Sequence, residues 1–204
     1  MTTNNVLKTI VAAGFALSLA ACGGKKSEDG HEHEGQPVEA PAATEAAAAT
    51  DSQHASDPEF KKQLTVVFDG YVTLKDAFVS SDAAKVKTEA TATLGALEKV
   101  DMALVTGAAH HDWMTYLGGM QTSLQQIGAS TDIETQRAAF SNLSNELYKA
   151  IKAFGLSGET AYYDYCPMAF NNKGGYWLAK EDKIQNPYFG DKMLTCGSVE
   201  EKLQ

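Results

Sequence analysis

Residues 57–79 read Asp57-Pro58-Glu59-Phe60-Lys61-Lys62-Gln63-Leu64-Thr65-Val66-Val67-Phe68-Asp69-Gly70-Tyr71-Val72-Thr73-Leu74-Lys75-Asp76-Ala77-Phe78-Val79, and their spacing decides the fold class. Phe60, Leu64, Val67, Tyr71, Leu74 and Phe78 recur at alternating steps of four and three, which lays one apolar stripe along a helix of about five turns. Asp57 supplies an N-cap oxygen, and Pro58 suits the first helical position, where its missing N–H has no partner to lose.

Three further stripes follow. After Ser81-Asp82 come Val86, Ala90, Leu94, Leu97, Asp101 and Leu104, with Asp101 standing at a polar helix end. Gly107 marks a break, and a third helix starting near His110-His111-Asp112 carries Trp113, Leu117, Met120, Leu124 and Ile127. Gly118-Gly119 interrupts it at a cost of about 1 kcal/mol per glycine, which predicts a kink or the close approach of a neighbour. The fourth begins with Thr131-Asp132-Ile133-Glu134, read as a capping box, and carries Ile133, Phe140, Leu143, Leu147, Ile151 and Phe154 before Gly155 stops it. Four amphipathic segments on short connections predict an all-α fold, an antiparallel up-down-up-down four-helix bundle. The helices lack the Glu-x-x-His pairs of a di-iron bundle, so the scaffold carries no visible chemistry of its own.

Upstream of the bundle the composition changes. Residues 1–21 hold one Lys8, an apolar run from Ile10 to Ala20 too short to span a bilayer, and Leu19-Ala20-Ala21 before Cys22. This is the pattern of a bacterial lipoprotein signal, with Cys22 as the lipidated mature N-terminus. Gly23 follows rather than Asp, which favours the outer membrane. The expected location is the cell envelope, with the protein facing the periplasm. Residues 22–56 then read as a flexible tether: Lys25-Lys26, the acidic patch with His31 and His33, Pro37, Pro41 and a run of alanines, with too little apolar bulk to fold. Residues 57–204 form the domain.

Composition sets outer bounds. The chain has 204 residues, 44% of them hydrophobic and 21% charged, which suits one globular domain with an extension. With Lys+Arg 17 against Asp+Glu 26 the net charge is -9, a poor match for nucleic acid. The membrane is reached through the anchor, not through charge.

Beyond the helices lies a stretch rich in sulfur and rings: Tyr165-Cys166-Pro167-Met168-Ala169-Phe170, Gly175-Tyr176-Trp177-Leu178, Ile184-Gln185-Asn186-Pro187-Tyr188-Phe189-Gly190 and Met193-Leu194-Thr195-Cys196-Gly197. It shows neither helical nor strand periodicity and reads as an irregular tail packed on one end of the bundle. Cys166, Met168, Met193 and Cys196 offer two thiolates and two thioethers, the donors that Cu(I) and Ag(I) prefer. The bundle topology predicts His110 and His111 beside the point where the tail emerges, as further ligands. Alternatively Cys166 and Cys196 form a disulfide in an oxidising envelope, closing a loop of about thirty residues. Met168 and Met193 also read as gap-filling side chains, and Trp177, Tyr176, Tyr188 and Phe189 as the face that docks the tail.

These four blocks resemble a bacterial family catalogued as domain of unknown function 3347, the resemblance running back over the helices to cover about residues 60 to 200. Members of that family occur as stand-alone envelope proteins and as an extra domain on periplasmic adaptor subunits of copper- and silver-type efflux pumps. The resemblance therefore implies a copper-linked role and an efflux adaptor as a candidate partner. This chain differs from the fused form in having its own lipobox and neither adaptor barrel nor hairpin.

The sequence contains no Gly-rich phosphate loop, nucleophile elbow, His-Glu-x-x-His or haem-attachment motif, and a Cys166-His111 pair would lack an orienting third group. The expectation is a binding protein, not an enzyme.

Overall fold

The computed structural model describes residues 52–204. Cys22 and the signal and tether segments, with His31 and His33, lie outside the described residues.

Four long helices dominate: α1 Pro58–Val79, α2 Ala83–Leu97, α3 Gly107–Ala129 and α4 Ile133–Phe154. Consecutive helices pack on one another, and α1 also meets α4. Asp57 caps α1 by accepting from the Glu59 N–H, with Pro58 at the first helical position. The first stripe, Phe60 through Phe78, is fully enclosed, as are Trp113, Met120, Phe140, Leu147, Ile151 and Phe154. Gly155, at φ 74°, ends α4. Gly119 is needed where α3 meets α4, since a Cβ there would lie 2.6 Å from Cγ of Glu146. Gly118 faces open space.

Three helix boundaries differ from expectation, and the first is that α3 begins at Gly107 itself rather than near His110. Helix α2 stops at Leu97, and Asp101 caps a separate short turn over Met102–Leu104 by accepting from the Ala103 N–H. Asp101 interrupts the stripe because the helix has already ended. At α4 the cap is Asp132, not Thr131: Asp132 Oδ2 accepts from the backbone N–H of Thr135 at 2.8 Å and from its hydroxyl at 2.6 Å. Glu134 instead pairs with Arg137.

The tail is not irregular, and the fold is not all-α. It forms a three-stranded antiparallel sheet in the order β2-β1-β3, from β1 Ala161–Cys166, β2 Gly175–Ala179 and β3 Ser198–Leu203. Tyr163, Asp164 and Cys166 are all buried in β1, so the strand lacks the polar alternation by which a half-exposed strand is recognised. Stacked rings fasten the sheet to α4: Tyr148 lies 3.9 Å from Tyr163, which lies 4.8 Å from Tyr176. Tyr163 also donates to Asn145.

The Asn186-Pro187-Tyr188-Phe189-Gly190 block closes the far side. The Arg137 Nε–H donates to the Pro187 carbonyl at 3.0 Å, and Tyr188 packs edge-on against Phe140, Phe170 and Trp177. Gly190, at φ 55°, sits so close to the end of α1 that a Cβ would meet Oγ of Ser81 at 2.5 Å.

Candidate functional site

The site grows from the end of β1. Cys166, the last residue of that strand, pairs in register with Gly175 and is fully buried. Cys196 arrives from the other direction, on a turn in which its N–H donates to the Met193 carbonyl at 3.1 Å. Asn186 Nδ2 donates to the Cys196 carbonyl at 2.7 Å and holds that turn in place. The two Sγ atoms approach to 2.8 Å. Hydrogen bonding to Cys166, helped by burial, pushes the Cys196 thiol up to about 11. The second proton is therefore hard to remove unless a cation takes its place.

Close approach of backbone and rings makes this junction glycine-dependent. A Cβ on Gly175 would lie 2.7 Å from Tyr188 and 2.9 Å from the Ala169 Cβ, and one on Gly197 would lie 2.7 Å from the Trp177 ring.

A cleft of about 460 Å³, lined by Glu134, Arg137, Ala138, Asn171, Asn172 and Tyr188 and not by the cysteines themselves, adjoins this junction through Met168 and Met193. One lip is Met168 and Phe170, the other Phe189 and Met193. Each lip hangs from one cysteine, because Met168 follows Cys166 by two residues and Met193 precedes Cys196 by three. Met168 is 46% exposed, which leaves its thioether open to solvent. Phe170, Asn171 and Asn172 have φ of 52°, 58° and 64°, three successive non-glycine residues in the left-handed region. Such backbone costs about 1 to 2 kcal/mol per residue, and it gathers at functional clefts.

The histidines are not part of this neighbourhood. Trp113, just after His110 and His111, packs on Phe154 at 6.0 Å, whereas Tyr188 packs on Phe140 at 6.1 Å. Phe140 and Phe154 are separated along α4 by about 20 Å at 1.5 Å per residue. The tail does leave α4 beside the histidines, but β1 then runs back along the helix and carries Cys166 to the opposite end. What the histidine end holds instead is His54, whose Nε2 lies 3.0 Å from Asp112 Oδ2. The N–H groups of Gln53 and His54 donate to the Lys152 and Ala153 carbonyls, capping α4.

Among the described residues no three His, Cys, Asp or Glu side chains converge. The sulfur donors of this region are Cys166 and Cys196, with Met168 and Met193 on the adjoining cleft.

Sequence reasoning missed Asp164. Its carboxyl is fully buried, and its one polar neighbour across the ladder, Trp177 Nε1, faces it without a hydrogen bond of good geometry. Burial pushes Asp164 up to about 8, with Lys75 and the indole N–H of Trp177 nearby pulling the other way. No sequence signal marked it, because an acidic residue in a segment read as an irregular tail suggests exposure. The left-handed lip was more accessible to reasoning, since Asn171-Asn172-Lys173-Gly174 is turn chemistry.

The class is therefore a four-helix domain with a small antiparallel sheet fastened along its fourth helix, with paired thiols at the end of that sheet and a cleft of mixed polar and apolar lining adjoining them. Over residues 67–159 the chain matches the model of the family described as Protein of unknown function (DUF3347). That match takes in most of the helical part and ends just before β1. No curated protein and no solved structure matches the chain.

Proposed function

We propose that this is a lipid-anchored protein of the cell envelope that binds a soft metal ion, Cu(I) or Ag(I), in metal resistance or homeostasis. The observation that carries the reading is the meeting of two cysteine sulfurs, Cys166 and Cys196, with Met168 and Met193 on the adjoining cleft. Thiolate and thioether donors favour monovalent copper and silver over harder ions. In this reading Cys166 and Cys196 would hold the ion, their sulfurs parting from 2.8 Å to admit metal–sulfur bonds of about 2.3 Å, Met193 or Met168 would add a thioether, and His110 and His111 take no part. The anchor is Cys22 and the location the periplasmic face of the outer membrane, both supported by the lipobox and by Gly23.

We read the helices as an up-down-up-down bundle. Ring contacts among Phe60, Trp113 and Phe154, which join the starts of α1 and α3 to the end of α4, support that topology.

A second reading is favoured by the complete burial of Cys166. In it the cysteines form a permanent disulfide and the cleft, with Met168 exposed at its lip, docks on an envelope partner such as an efflux adaptor. Titration of the reduced protein with Cu(I) against a chromophoric chelator separates the two. Metal binding predicts one tightly held ion per chain, weakened in Cys166→Ser, Met168→Leu and Met193→Leu. Unchanged affinity in all three would reject the site.

A further inference from the structure

Resting on the soft-metal reading, we infer that the site is gated by oxidation: joining Cys166 to Cys196 expels the ion, so that the protein is loaded only in its dithiol form. Three features support this. The sulfurs already stand 2.8 Å apart, so bonding them needs only a small further approach and no rearrangement of β1 or of the turn at Cys196. The same two atoms are the best donors of the site, and a disulfide sulfur is a far weaker ligand than a thiolate. Finally, access is unequal, since Cys166 is fully enclosed while Cys196 is half-buried. An oxidant therefore meets Cys196 first, and Cys166 waits behind it as the resolving thiol.

The step balances with a small-molecule disulfide as the oxidant. The Cys196 thiolate attacks one sulfur of that disulfide, whose S–S bond breaks to release one thiol, leaving a mixed disulfide on Cys196. Deprotonated Cys166 then attacks Cys196 Sγ, forming the internal S–S bond and expelling the second thiol. Two electrons pass from the protein to the oxidant, and the two released thiols take their protons from the cysteines in the metal-free protein or from solvent in the loaded one; an ion held by these sulfurs would lose both.

Met168 and Met193, which line the adjoining cleft, are the sulfur donors left once the cysteines are joined. The remaining thioethers then hold an ion only weakly.

The test uses the full chain in two forms, one fully reduced and handled without oxygen, the other treated with oxidised glutathione. Intact mass verifies the loss of two hydrogens. Cu(I) affinity is measured for each by chelator competition, and circular dichroism checks that both are folded. The inference predicts one Cu(I) per chain in the reduced form, an affinity lower by on the order of 100-fold in the oxidised form, and recovery after dithiothreitol. Met168→Leu, which keeps both cysteines, retains that redox dependence. Equal affinity in the two forms overturns the gate and leaves the metal site standing. Failure of the folded chain to lose two hydrogens overturns it as well. Absence of Cu(I) binding in both forms overturns gate and metal site together.

Discussion

Cys166 and Cys196, thirty positions apart in the chain, place their Sγ atoms 2.8 Å from each other where the end of a buried strand meets a turn held by Asn186. Nearly everything in the C-terminal part of the molecule serves that meeting. The tyrosine stack fastens β1 to α4, Tyr188 wedges between helix and sheet, and Gly175 and Gly197 leave room for the rings that pack over the junction.

Oxidation of this pair closes a loop of about thirty residues and stabilises the fold by about 3 to 4 kcal/mol through the lost entropy of the unfolded chain. Urea denaturation of metal-free protein with and without reductant measures the difference. Coincident curves, with the disulfide verified by mass, would show that the junction is strained when bonded.

The junction is intolerant of bulk at Gly175, whose added Cβ would press on both Tyr188 and the Ala169 Cβ. Gly175→Ala is expected to cost about 2 kcal/mol by overpacking. Gly118→Ala, on an open helix face, is expected to be neutral or to stabilise by up to about 1 kcal/mol. Thermal melts of the two variants check the contrast, and equal effects would contradict the packing described.

Asp164 gives the protein a specific response to pH. Its carboxyl ionises near pH 4 when unfolded and is pushed up to about 8 when folded, by burial, against the pull of Lys75 and Trp177. The ionised form is thus disfavoured in the native state. Stability is lost progressively as pH rises from about 4 and the loss levels off above about 8, with a slope approaching about 1.4 kcal/mol per pH unit. In Asp164→Asn that component disappears, so the variant gains on the wild type as pH rises from 5 to 8. Denaturation curves that stay parallel over this range would show that the carboxyl is not held neutral.

At the opposite end, His54 ties the segment entering the domain to α3 and α4 through Asp112 and the last carbonyls of α4. His54→Ala is expected to lower stability by about 1 kcal/mol through loss of that contact. His110→Ala and His111→Ala should leave Cu(I) affinity untouched. A drop in affinity in either would place the histidines in the metal shell after all.

The helices were legible because their burial is one-sided. Phe60 to Phe78 and Phe140 to Phe154 recur at helical steps, and each of those rings is enclosed. The sheet was hidden for the converse reason: Tyr163, Asp164 and Cys166 are all covered, and a buried carboxylate broke any apolar run. The sulfur set was visible as a cluster of types, but its neighbourhood was misjudged. Proximity was inferred from where the tail leaves α4 near Phe154, whereas an unrecognised strand carries Cys166 back toward Phe140. Asp132 rather than Thr131 caps α4 because two candidate oxygens stood side by side, and only geometry separates them.

The central claim is that sulfur alone, gathered at one end of the molecule, holds the metal. X-ray absorption at the copper edge of the reduced, Cu(I)-loaded full chain tests it most directly. The account predicts a first shell of sulfur only, without the outer-shell scattering of imidazole, and the same spectrum in a His110→Ala/His111→Ala variant. A nitrogen shell with imidazole scattering, or a spectrum unchanged when Cys166 and Cys196 are oxidised, would contradict it.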